Sequence, residues 1–382
     1  MNAYTSAYEA WGQDPAGFWS RAAGAIDWFE APTVAFDPED GTYGRWFPDG
    51  VLNACHNCVD RHVAGGRRGQ PALIYDSPVT GTKRSYTYED LLHEIQAMAW
   101  VLRDHGLSKG DRVVIYMPMV PEAIFAMLAC ARLGAIHSVV FGGFSANELA
   151  ARIDDARPKL IVSASCGIEG TKIVAYKPLL DAALDEASHA PDACLILQRP
   201  QADAELRPGR DQELAPLLAE ARAERHHLPC TPMTATDPLY ILYTSGTTGR
   251  PKGVVRDTGG YLTALSWSME NLYGLRPGEV FWTASDIGWV VGHSYIVYGP
   301  LLTGCATVLY EGKPVGTPDA GAFWRVADEH DVSALFTAPT ALRAIKKEDP
   351  HAALASDYDL TTLRTLFLAG ERADPDTVRW AG

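Results

Sequence analysis

Residues 240–256 read Tyr-Ile-Leu-Tyr-Thr-Ser-Gly-Thr-Thr-Gly-Arg-Pro-Lys-Gly-Val-Val-Arg. An apolar run that predicts a strand leads here into a loop of hydroxyls and glycines around one lysine. Glycine lets backbone N–H groups turn toward an anion, and lysine supplies a mobile point charge suited to phosphate. The pattern predicts a polyphosphate-binding loop, although such a loop after a strand also fits an ordinary turn. The residues assigned to phosphate binding are Thr244, Ser245, Gly246, Thr247, Thr248, Gly249 and Lys252.

This loop does not have the Walker A pattern, which requires a second glycine directly before the lysine and a hydroxyl directly after it. Counted from Gly246, Pro251 stands at the position of the second glycine and Gly253 at that of the hydroxyl. The order Thr-Ser-Gly-Thr-Thr-Gly-x-Pro-Lys-Gly instead resembles the phosphate loop of the acyl-adenylate-forming enzymes: acyl-CoA synthetases, luciferases and peptide-synthetase adenylation domains. The resemblance implies ATP as the ligand and disfavours the interpretation as a mere turn.

Composition excludes several other classes of protein. The chain has 382 residues, of which 47% are hydrophobic and 21% charged, and a formal net charge of −14. That length allows two or three cores, and the negative charge argues against a nucleic-acid or membrane surface. An anionic ligand must therefore be held by local groups. We expect small-molecule substrates as the only partners, with no nucleic acid and no membrane.

The cysteines and the N-terminal sequence indicate a reducing compartment. Seven cysteines are an odd number and mostly stand apart, which does not suit a disulfide framework. The N-terminus has no basic segment followed by an apolar stretch, so no signal peptide is expected and a cytoplasmic location is predicted. Cys55 and Cys58 have CxxC spacing, but without a second ligand pair we favour two helix thiols over a metal or redox site. No metal-binding residues are predicted.

Alternating strands and helices predict an α/β fold. From residue 111 onward, β-rich apolar runs such as 112–117 and 159–164 alternate with helical patterns such as Pro121–Leu133 and Ala146–Ala156. Continuously apolar strands are typical of mostly parallel sheets covered by helices on both faces. A hairpin is predicted before residue 87, where Thr87 and Asp90 form a possible capping box.

The resemblance implies the domain organisation. Residues 1–66 are expected to form an extension like the N-terminus of acetyl-CoA synthetases, and residues 67–382 an AMP-binding, adenylate-forming domain. No aromatic-Gln-Thr-Glu segment follows Arg372. We therefore expect the domain to be truncated before its remaining subdomain, and the small C-terminal domain with the catalytic lysine to be absent. No catalytic residue is assigned, and the chain is expected to be an incomplete, inactive fragment.

A second candidate segment follows the predicted strand 280–284 and reads Ser-Asp-Ile-Gly-Trp-Val-Val-Gly-His-Ser-Tyr. Loops at the carboxyl ends of strands are where α/β sheets bind ligands. One large aromatic, two small aliphatics and a histidine suit a short apolar pocket with a polar group at its mouth, but they equally suit ordinary core packing. The segment resembles the acyl pocket of short-chain acyl-CoA synthetases. That resemblance places Trp289, Val290 and Val291 in the pocket wall, with His293 beside them.

Ala369-Gly370-Glu371-Arg372 ends the last predicted strand. In the acetate-using relatives the residue before Gly-Glu is typically valine, so Ala369 adds volume to the acyl pocket. One extra methylene discriminates by about 1–3 kcal/mol, which favours propionate over acetate without excluding acetate. The sequence Leu-Ala-Gly-Glu-Arg-Ala-Asp-Pro at residues 368–375 is also similar to that of propionyl-CoA synthetases. Gly370, Glu371 and Arg372 are assigned to adenine and ribose, although Arg372 replaces the family's proline.

The resemblance also implies a coenzyme A site. Phe141, Gly142 and Gly143 resemble the segment that approaches the CoA nucleotide, although a glycine-bearing turn with Ser145 as helix cap fits equally. Lys172 matches one of two arginines that bind CoA phosphates in relatives. Glu169 matches the other and would repel a phosphate.

The implied activity is an ATP-dependent ligation of a short carboxylate to CoA through an acyl-AMP, with Mg²⁺ bridging the ATP phosphates. The chain is expected to be a propionate- or acetate-CoA ligase by family. Two alternatives stay open: an adenylating enzyme for another carboxylic acid, and a catalytically inactive nucleotide-binding or interaction protein.

Overall fold

Two large sheets, each covered by helices, form the framework of the protein. The structure is a computed structural model that describes residues 3–244 and 251–382. The predicted phosphate-loop residues outside the described ranges are Ser245, Gly246, Thr247, Thr248 and Gly249.

The first sheet has seven strands, of which all but the last run parallel to their neighbours. The final strand instead pairs antiparallel with the strand before it, so these two form a hairpin at the sheet edge. In spatial order the strands are Asp211–Glu213, Ala193–Leu197, Leu160–Ala164, Arg112–Tyr116, Ile136–Val139, Pro238–Thr244 and Lys252–Asp257.

The second sheet has six strands, five of them parallel, with one antiparallel strand at the edge. Four of its parallel strands are buried along much of their length, and Val332–Thr337 is buried at every residue, whereas the edge strand Thr365–Leu368 is only partly buried. This continuous burial explains the absence of a polar alternation in these strands. In spatial order they are Thr365–Leu368, Val332–Thr337, Val280–Ala284, Ala306–Tyr310, Pro71–Ser77 and Thr82–Thr87.

The remaining elements cover the sheets or connect their strands. The α-helices are Ala3–Gln13, Pro15–Ala23, Tyr88–Asp104, Pro121–Leu133, Ala146–Ala156, Tyr176–Glu186, Leu214–Glu224, Gly259–Asn271, Val290–Gly292, Gly299–Thr303, Ala322–Glu329, Pro339–Glu348 and Pro375–Ala381. Short paired strands are Phe36–Asp37, Arg45–Trp46, Val51–Leu52, Cys166–Glu169, Lys172–Ala175 and Met233–Thr234. Wider π-helical segments are His56–Asp60, Val63–Arg67 and His293–Tyr298, and Ala353–Asp357 is a 3₁₀ helix.

Local sequence signals account for several helix boundaries. The Thr87 side chain accepts a hydrogen bond from the Asp90 backbone N–H, and the Asp90 carboxylate accepts one from the Thr87 N–H, which completes the predicted capping box. The Ser145 side chain accepts a hydrogen bond from the Glu148 N–H and so caps helix Ala146–Ala156. The N-cap interpretation of Ser145 is therefore confirmed.

A buried ion pair ties the two sheets together. The Arg199 guanidinium donates to both carboxylate oxygens of Glu311 at 2.8 and 3.0 Å, and both side chains are almost fully buried. Hydrogen bonds from Tyr75 and Ser77 satisfy the same carboxylate. A buried charge pair is tolerated when its remaining hydrogen-bonding capacity is met, so this network fixes the sheets relative to one another.

The N-terminal segment packs on the body of the protein through aromatic rings. Phe18 and Trp19, on helix Pro15–Ala23, lie 5.7 and 6.1 Å from the ring of Trp267. Farther along, strand Val51–Leu52 pairs with Met233–Thr234. A domain boundary between residues 66 and 67 stays a prediction.

The predicted α/β class with mostly parallel, helix-covered sheets is confirmed. Helices Pro121–Leu133 and Ala146–Ala156 have the predicted bounds. Two hairpins were missed: the edge strand Lys252–Asp257 and the pair Cys166–Glu169 with Lys172–Ala175. Strands Lys252–Asp257 and Lys172–Ala175 are largely exposed and therefore lack the apolar run that marks the buried strands. No helix in the described ranges is long and apolar enough to cross a membrane.

Candidate functional site

The predicted acyl-pocket segments lie side by side at one edge of the second sheet. The last residues of three parallel strands are in register, with Ala284 beside Thr337 and Thr337 beside Leu368. The segment that contains Trp289 follows the first of these strands, and Ala369 follows the last. The carboxyl edge of a parallel sheet is the usual ligand-binding edge, so the topology brings these two predictions to one place.

The two described residues that flank the predicted phosphate loop face each other in the first sheet. Thr244 ends one strand of the edge hairpin, Lys252 begins the other, and the two are register partners. Both side chains are exposed. Thr244 is thus at the carboxyl end of strand Pro238–Thr244, whose parallel neighbour is Ile136–Val139.

The carboxyl edges of the two sheets meet at Gly288. A Cβ atom on Gly288 would lie 3.0 Å from the backbone of Phe141, which is closer than most side chains approach, so glycine suits this position. Beside it, the ring of Trp289 lies 5.5 Å from that of Phe141 and 6.3 Å from that of Phe144. The predicted acyl wall and the predicted CoA segment are thus in direct contact.

Tyr176 holds the predicted CoA segment in place, and sequence reasoning missed it. A Cβ atom added to Gly142 would lie only 1.8 Å from the Tyr176 hydroxyl oxygen, and the Tyr176 ring also fills the space beside Gly167. The ring stacks on Tyr116, whose hydroxyl donates to the Gly142 carbonyl at 3.4 Å. These contacts join residues that are far apart in the sequence, so no local sequence pattern predicts them.

Charges beside this segment are partly balanced. Lys172 is exposed and is the register partner of Glu169 in their hairpin. The Glu169 carboxylate lies 3.8 Å from the Lys313 ammonium on the other sheet. Lys313 therefore offsets the negative charge that Glu169 would present to a CoA phosphate.

Val291 and Ala369 pack against the same apolar cluster. The buried members of this cluster are Met269, Leu275, Phe281, Cys305, Ala334 and Phe336. Tyr273, Tyr295 and Phe367 are partly buried and pack on it beside Val291 and Ala369. The side chains of Trp289 and Val290 are 46% and 44% exposed, so they border open space rather than the cluster. The pocket roles of these residues stay predictions.

His293 lies among polar aromatic rings instead. Its ring is fully buried, 5.5 Å from the ring of His137 and 4.7 Å from that of Tyr240. Its Nδ1 lies 3.1 Å from the Trp289 carbonyl, whereas Nε2 has no hydrogen-bond partner among the described residues. Burial lowers the pKa of His293 to about 4 and that of His137 well below its usual value, so both rings are neutral at pH 7. A role for His293 at the pocket mouth stays a prediction.

Asp286 shapes the turn that presents Trp289. One carboxylate oxygen accepts the Gly288 N–H at 2.7 Å, and the Asp286 carbonyl accepts the Trp289 N–H at 3.1 Å. Burial raises the pKa of Asp286 to about 6, against a smaller opposing effect of the Gly288 hydrogen bond. Sequence reasoning quoted this aspartate without giving it a role, and its carboxylate is the one titratable group within the segment that changes charge near neutral pH.

Hydrogen bonds and an ion pair hold the segment predicted to contact adenine and ribose against helix Pro339–Glu348. Gly370 has φ +96°, a conformation that favours glycine, and the exposed Glu371 carboxylate accepts a hydrogen bond from Thr340 and pairs with Arg343 at 3.3 Å. The Thr340 hydrogen bond lowers the pKa of Glu371. Arg372 is exposed, and its carbonyl accepts from Arg343. The nucleotide roles of Gly370, Glu371 and Arg372 stay predictions.

The two cysteines with CxxC spacing face different neighbours. Cys58 donates to the Tyr298 carbonyl at 3.7 Å, whereas the Cys55 sulfur lies beside Asp60 and Cys230. The potential ligand atoms of Cys55, Asp60 and Cys230 lie within 4.8 Å of one another. However, the buried Arg132 guanidinium binds both oxygens of Asp60, at 2.9 and 3.0 Å, and so already supplies the positive charge that a metal would bring. All seven cysteines are free thiols.

The fold defines the class of protein: an α/β protein with two mostly parallel sheets, whose candidate site residues follow the carboxyl ends of the strands, the edge at which such sheets usually bind ligands. A family model described as AMP-binding enzyme matches residues 60–382, and one described as acetyl-coenzyme A synthetase N-terminus matches residues 4–58. The chain therefore belongs to the family of AMP-binding enzymes, as the resemblance implied.

Curated relatives match nearly the whole chain. It is 54% identical over 379 residues to human "Acyl-CoA synthetase short-chain family member 3, mitochondrial", and the aligned region covers 99% of this chain and 55% of that protein. It is 47% identical over 370 residues to the "Propionate--CoA ligase" of Escherichia coli, covering 96% of this chain and 58% of that protein. An uncharacterized Pseudomonas aeruginosa protein is 56% identical over 368 residues, covering 96% and 58%. The chain thus spans a little over half the length of these relatives.

Proposed function

We propose that this chain carries the nucleotide- and acyl-binding part of an ATP-dependent carboxylate–CoA ligase that favours propionate over acetate. The names of the human and Escherichia coli relatives support a short-chain acid as the substrate. The single observation that carries the proposal is the meeting of the two sheet edges, where the Trp289 segment contacts Phe141 near the strands that hold the phosphate loop.

The phosphate-binding step rests on local charge. The chain carries a net charge of −14, so the polyphosphate of ATP must be attracted by a nearby cation rather than by the overall field. Lys252 is exposed directly across from Thr244, at the base of the loop, where its flexible side chain can reach a phosphate. Mg²⁺ would enter bound to the phosphates of ATP, and the exposed Thr244 hydroxyl is a described oxygen donor at the start of the loop.

The chemistry requires no protein nucleophile. A carboxylate oxygen of the acid attacks the α-phosphorus of ATP and pyrophosphate leaves; the thiolate of CoA then attacks the acyl carbon and AMP leaves. Positioning and charge neutralisation account for catalysis in such transfers. In our proposal Gly370, Glu371 and Arg372 position the nucleotide, Trp289, Val290, Val291 and Ala369 hold the alkyl group, His293 lies behind that wall, and Phe141, Gly142, Gly143 and Lys172 approach CoA.

Two other functions use the same framework. An adenylating enzyme for a different acid would share the phosphate loop but not a short pocket. A nucleotide-binding protein without ligase activity would bind ATP without a carboxylate response. A cytoplasmic location is also a proposal, since one relative is named as mitochondrial.

Carboxylate-dependent ATP–pyrophosphate exchange by this chain distinguishes these functions. Exchange with propionate and, more weakly, with acetate would support a short-chain ligase and would contradict the expectation from the sequence that this chain is an inactive fragment. Lys252→Ala should weaken the apparent ATP affinity about tenfold, since a hydrogen bond to a charged group contributes about 1.5–3 kcal/mol. Arg256→Ala is the matched control, because it removes an exposed cation from the same strand but farther from the loop.

The outcomes separate cleanly. Binding of MgATP that is lost in Lys252→Ala, without exchange for any acid, would support the nucleotide-binding alternative for this chain. Exchange with long or aromatic acids but not propionate would support the second alternative. Equal effects of Lys252→Ala and Arg256→Ala would contradict the assignment of the phosphate loop.

A further inference from the structure

Two cysteines that the proposed function does not use lie against each other. Cys55 begins the π-helical turn that follows strand Val51–Leu52, and Cys230 stands shortly before the partner strand Met233–Thr234. The two sulfurs lie within 4.8 Å of one another, and both contact the same carboxylate oxygen of Asp60, at 3.9 and 3.6 Å. The pairing of the two short strands thus brings together thiols that are far apart in the sequence.

The backbone beside each of these cysteines is held in place. The Asn53 side chain donates a hydrogen bond to the Thr231 carbonyl at 2.9 Å, and the buried Arg132 guanidinium donates one to the Leu228 carbonyl at 2.6 Å. Two cysteines form a disulfide only where the backbone already keeps them within reach. Each sulfur is one bond from its Cβ atom, so rotation of the two side chains can close the remaining gap.

The two thiols differ in their access to solvent. Cys55 is fully buried, whereas Cys230 is partly exposed, unlike the other six cysteines, all of which lie in the described ranges. The Arg132 guanidinium donates to the Cys55 sulfur at 3.6 Å and also pairs with Asp60. Contact with Cys55, together with burial, raises the pKa of Cys230, so we expect the pair to react slowly at neutral pH. An oxidant therefore reaches this pair from the side of Cys230.

We propose that Cys55 and Cys230 form a reversible disulfide when the protein meets a peroxide. The Cys230 sulfur gives up its proton and attacks one peroxide oxygen; the O–O bond breaks, water leaves with that proton, and a sulfenic acid remains. The Cys55 sulfur gives up its proton and attacks the sulfenic sulfur; the S–O bond breaks and a second water leaves. The two sulfurs lose two electrons in total, which the peroxide takes up.

The disulfide ties the N-terminal segment to the connection that leads into strand Pro238–Thr244. A cross-link between distant positions stabilises mainly by restricting the unfolded chain, and more so for a longer closed loop. The fold does not require this bond, since all seven cysteines are free thiols. In a reducing compartment such a disulfide forms only under oxidising conditions. The inference is independent of the proposed function, because neither thiol belongs to the predicted ligand-binding segments.

The test treats the wild-type chain with hydrogen peroxide and then with a dithiol reductant. Free thiols are alkylated after oxidation, and the chain is digested with trypsin without reduction and analysed by mass spectrometry. We expect one cross-linked peptide pair that contains Cys55 and Cys230, and a fall in the number of free thiols from seven to five. The midpoint of thermal unfolding should rise by about 3 °C or more and should return to its starting value after reduction.

Single substitutions identify the two partners. Cys230→Ser should abolish both the cross-link and the rise in the unfolding midpoint. Cys58→Ser is the matched control and should leave both unchanged, because Cys58 lies on the same tryptic peptide as Cys55 but donates to the Tyr298 carbonyl. Should Cys230→Ser fold poorly, the cross-linked peptides of Cys58→Ser alone decide the question. The proposal is wrong if peroxide links Cys230 to a second copy of the chain, joins Cys55 to Cys58, or leaves no disulfide.

Discussion

The two sides of the segment from Trp289 to Tyr298 contact different kinds of side chain. On one side Val291 and Tyr295 pack against aliphatic and aromatic side chains around Phe281. On the other side His293 and Tyr298 lie beside His137 and Tyr240, a group of rings that carry polar atoms. One short stretch of chain thus has an apolar face toward the predicted acyl pocket and a polar face toward the first sheet.

The difference shows how a single segment can serve two neighbours. Apolar packing tolerates small changes in shape, which suits a surface that must admit alkyl chains of related length. Buried polar rings are costly unless their hydrogen bonds are met, so they restrict the position of the segment more strongly. We infer that the polar side fixes where the segment lies and that the apolar side sets what fits against it.

The largest expected effect is on the apolar side. Phe281→Ala removes a fully buried ring and should lower the free energy of unfolding by about 3–5 kcal/mol, because the cavity cannot collapse completely. Denaturant unfolding followed by tryptophan fluorescence measures this loss. Phe281→Leu, which retains most of the volume, is the control and should cost clearly less. Equal costs for the two variants would mean that the cluster is not tightly packed.

An intermediate effect is expected on the polar side. The Tyr298 hydroxyl lies 2.6 Å from Nε2 of His137, and both rings are fully buried. Tyr298→Phe leaves that nitrogen unpaired, and His137 Nδ1 already has no partner among the described residues. The expected loss is about 1–3 kcal/mol in the same unfolding measurement.

The same substitution on the other side of the segment gives the matched comparison. The Tyr295 hydroxyl lies 3.2 Å from that of Ser268, whose hydroxyl also donates to the Leu265 carbonyl at 2.9 Å. Tyr295→Phe should therefore cost less than about 1 kcal/mol. If Tyr295→Phe costs as much as Tyr298→Phe, the contrast between the two sides is wrong.

The expected effect that is smallest near neutral pH is a change in acid sensitivity. An unfolded histidine titrates near 6.5, whereas burial lowers the pKa of His293 to about 4. The unfolded state therefore binds more protons between these values, and stability is lost as the pH falls from 6.5 toward 4. His293→Gln should reduce that loss by about 1 kcal/mol per pH unit, measured as unfolding free energy at a series of pH values.

Asp286 provides a control of opposite sign. Its pKa is raised from 3.8 to about 6, so the folded state binds more protons in that window and the contribution of Asp286 to stability decreases as the pH rises. Asp286→Asn removes this opposing contribution, so the free energy of unfolding should fall more steeply with decreasing pH than in the wild type. Parallel pH profiles for the wild type and both variants would contradict both assignments.

Much of the framework could be predicted from the sequence because its signals are local. Parallel strands buried on both faces appear as continuous apolar runs, and Thr87 with Asp90 marks a helix start within one turn. The exposed edge strand Lys252–Asp257 could not be predicted in this way. Its residues are held by pairing with the preceding strand rather than by an apolar pattern of their own.

The candidate site was predicted less completely. The Trp289 segment and Ala369 were found as separate motifs, and the register of the second sheet places both at one edge. Tyr176 was missed because it contacts the predicted CoA segment from the first residue of a helix whose own pattern indicates ordinary packing. The position of His293 among polar rings was missed as well, since its neighbours His137 and Tyr240 come from the other sheet.

The sequence by itself determined the class of fold, the family and the motifs, because each depends on residues a few positions apart. The contact between Gly288 and Phe141 and the division of the Trp289–Tyr298 segment into a polar and an apolar side were decided only by the tertiary structure. The physical reason is that these features arise where two sheets meet. Burial, ring contacts and lowered histidine pKa values depend on partners that the chain brings together from distant positions.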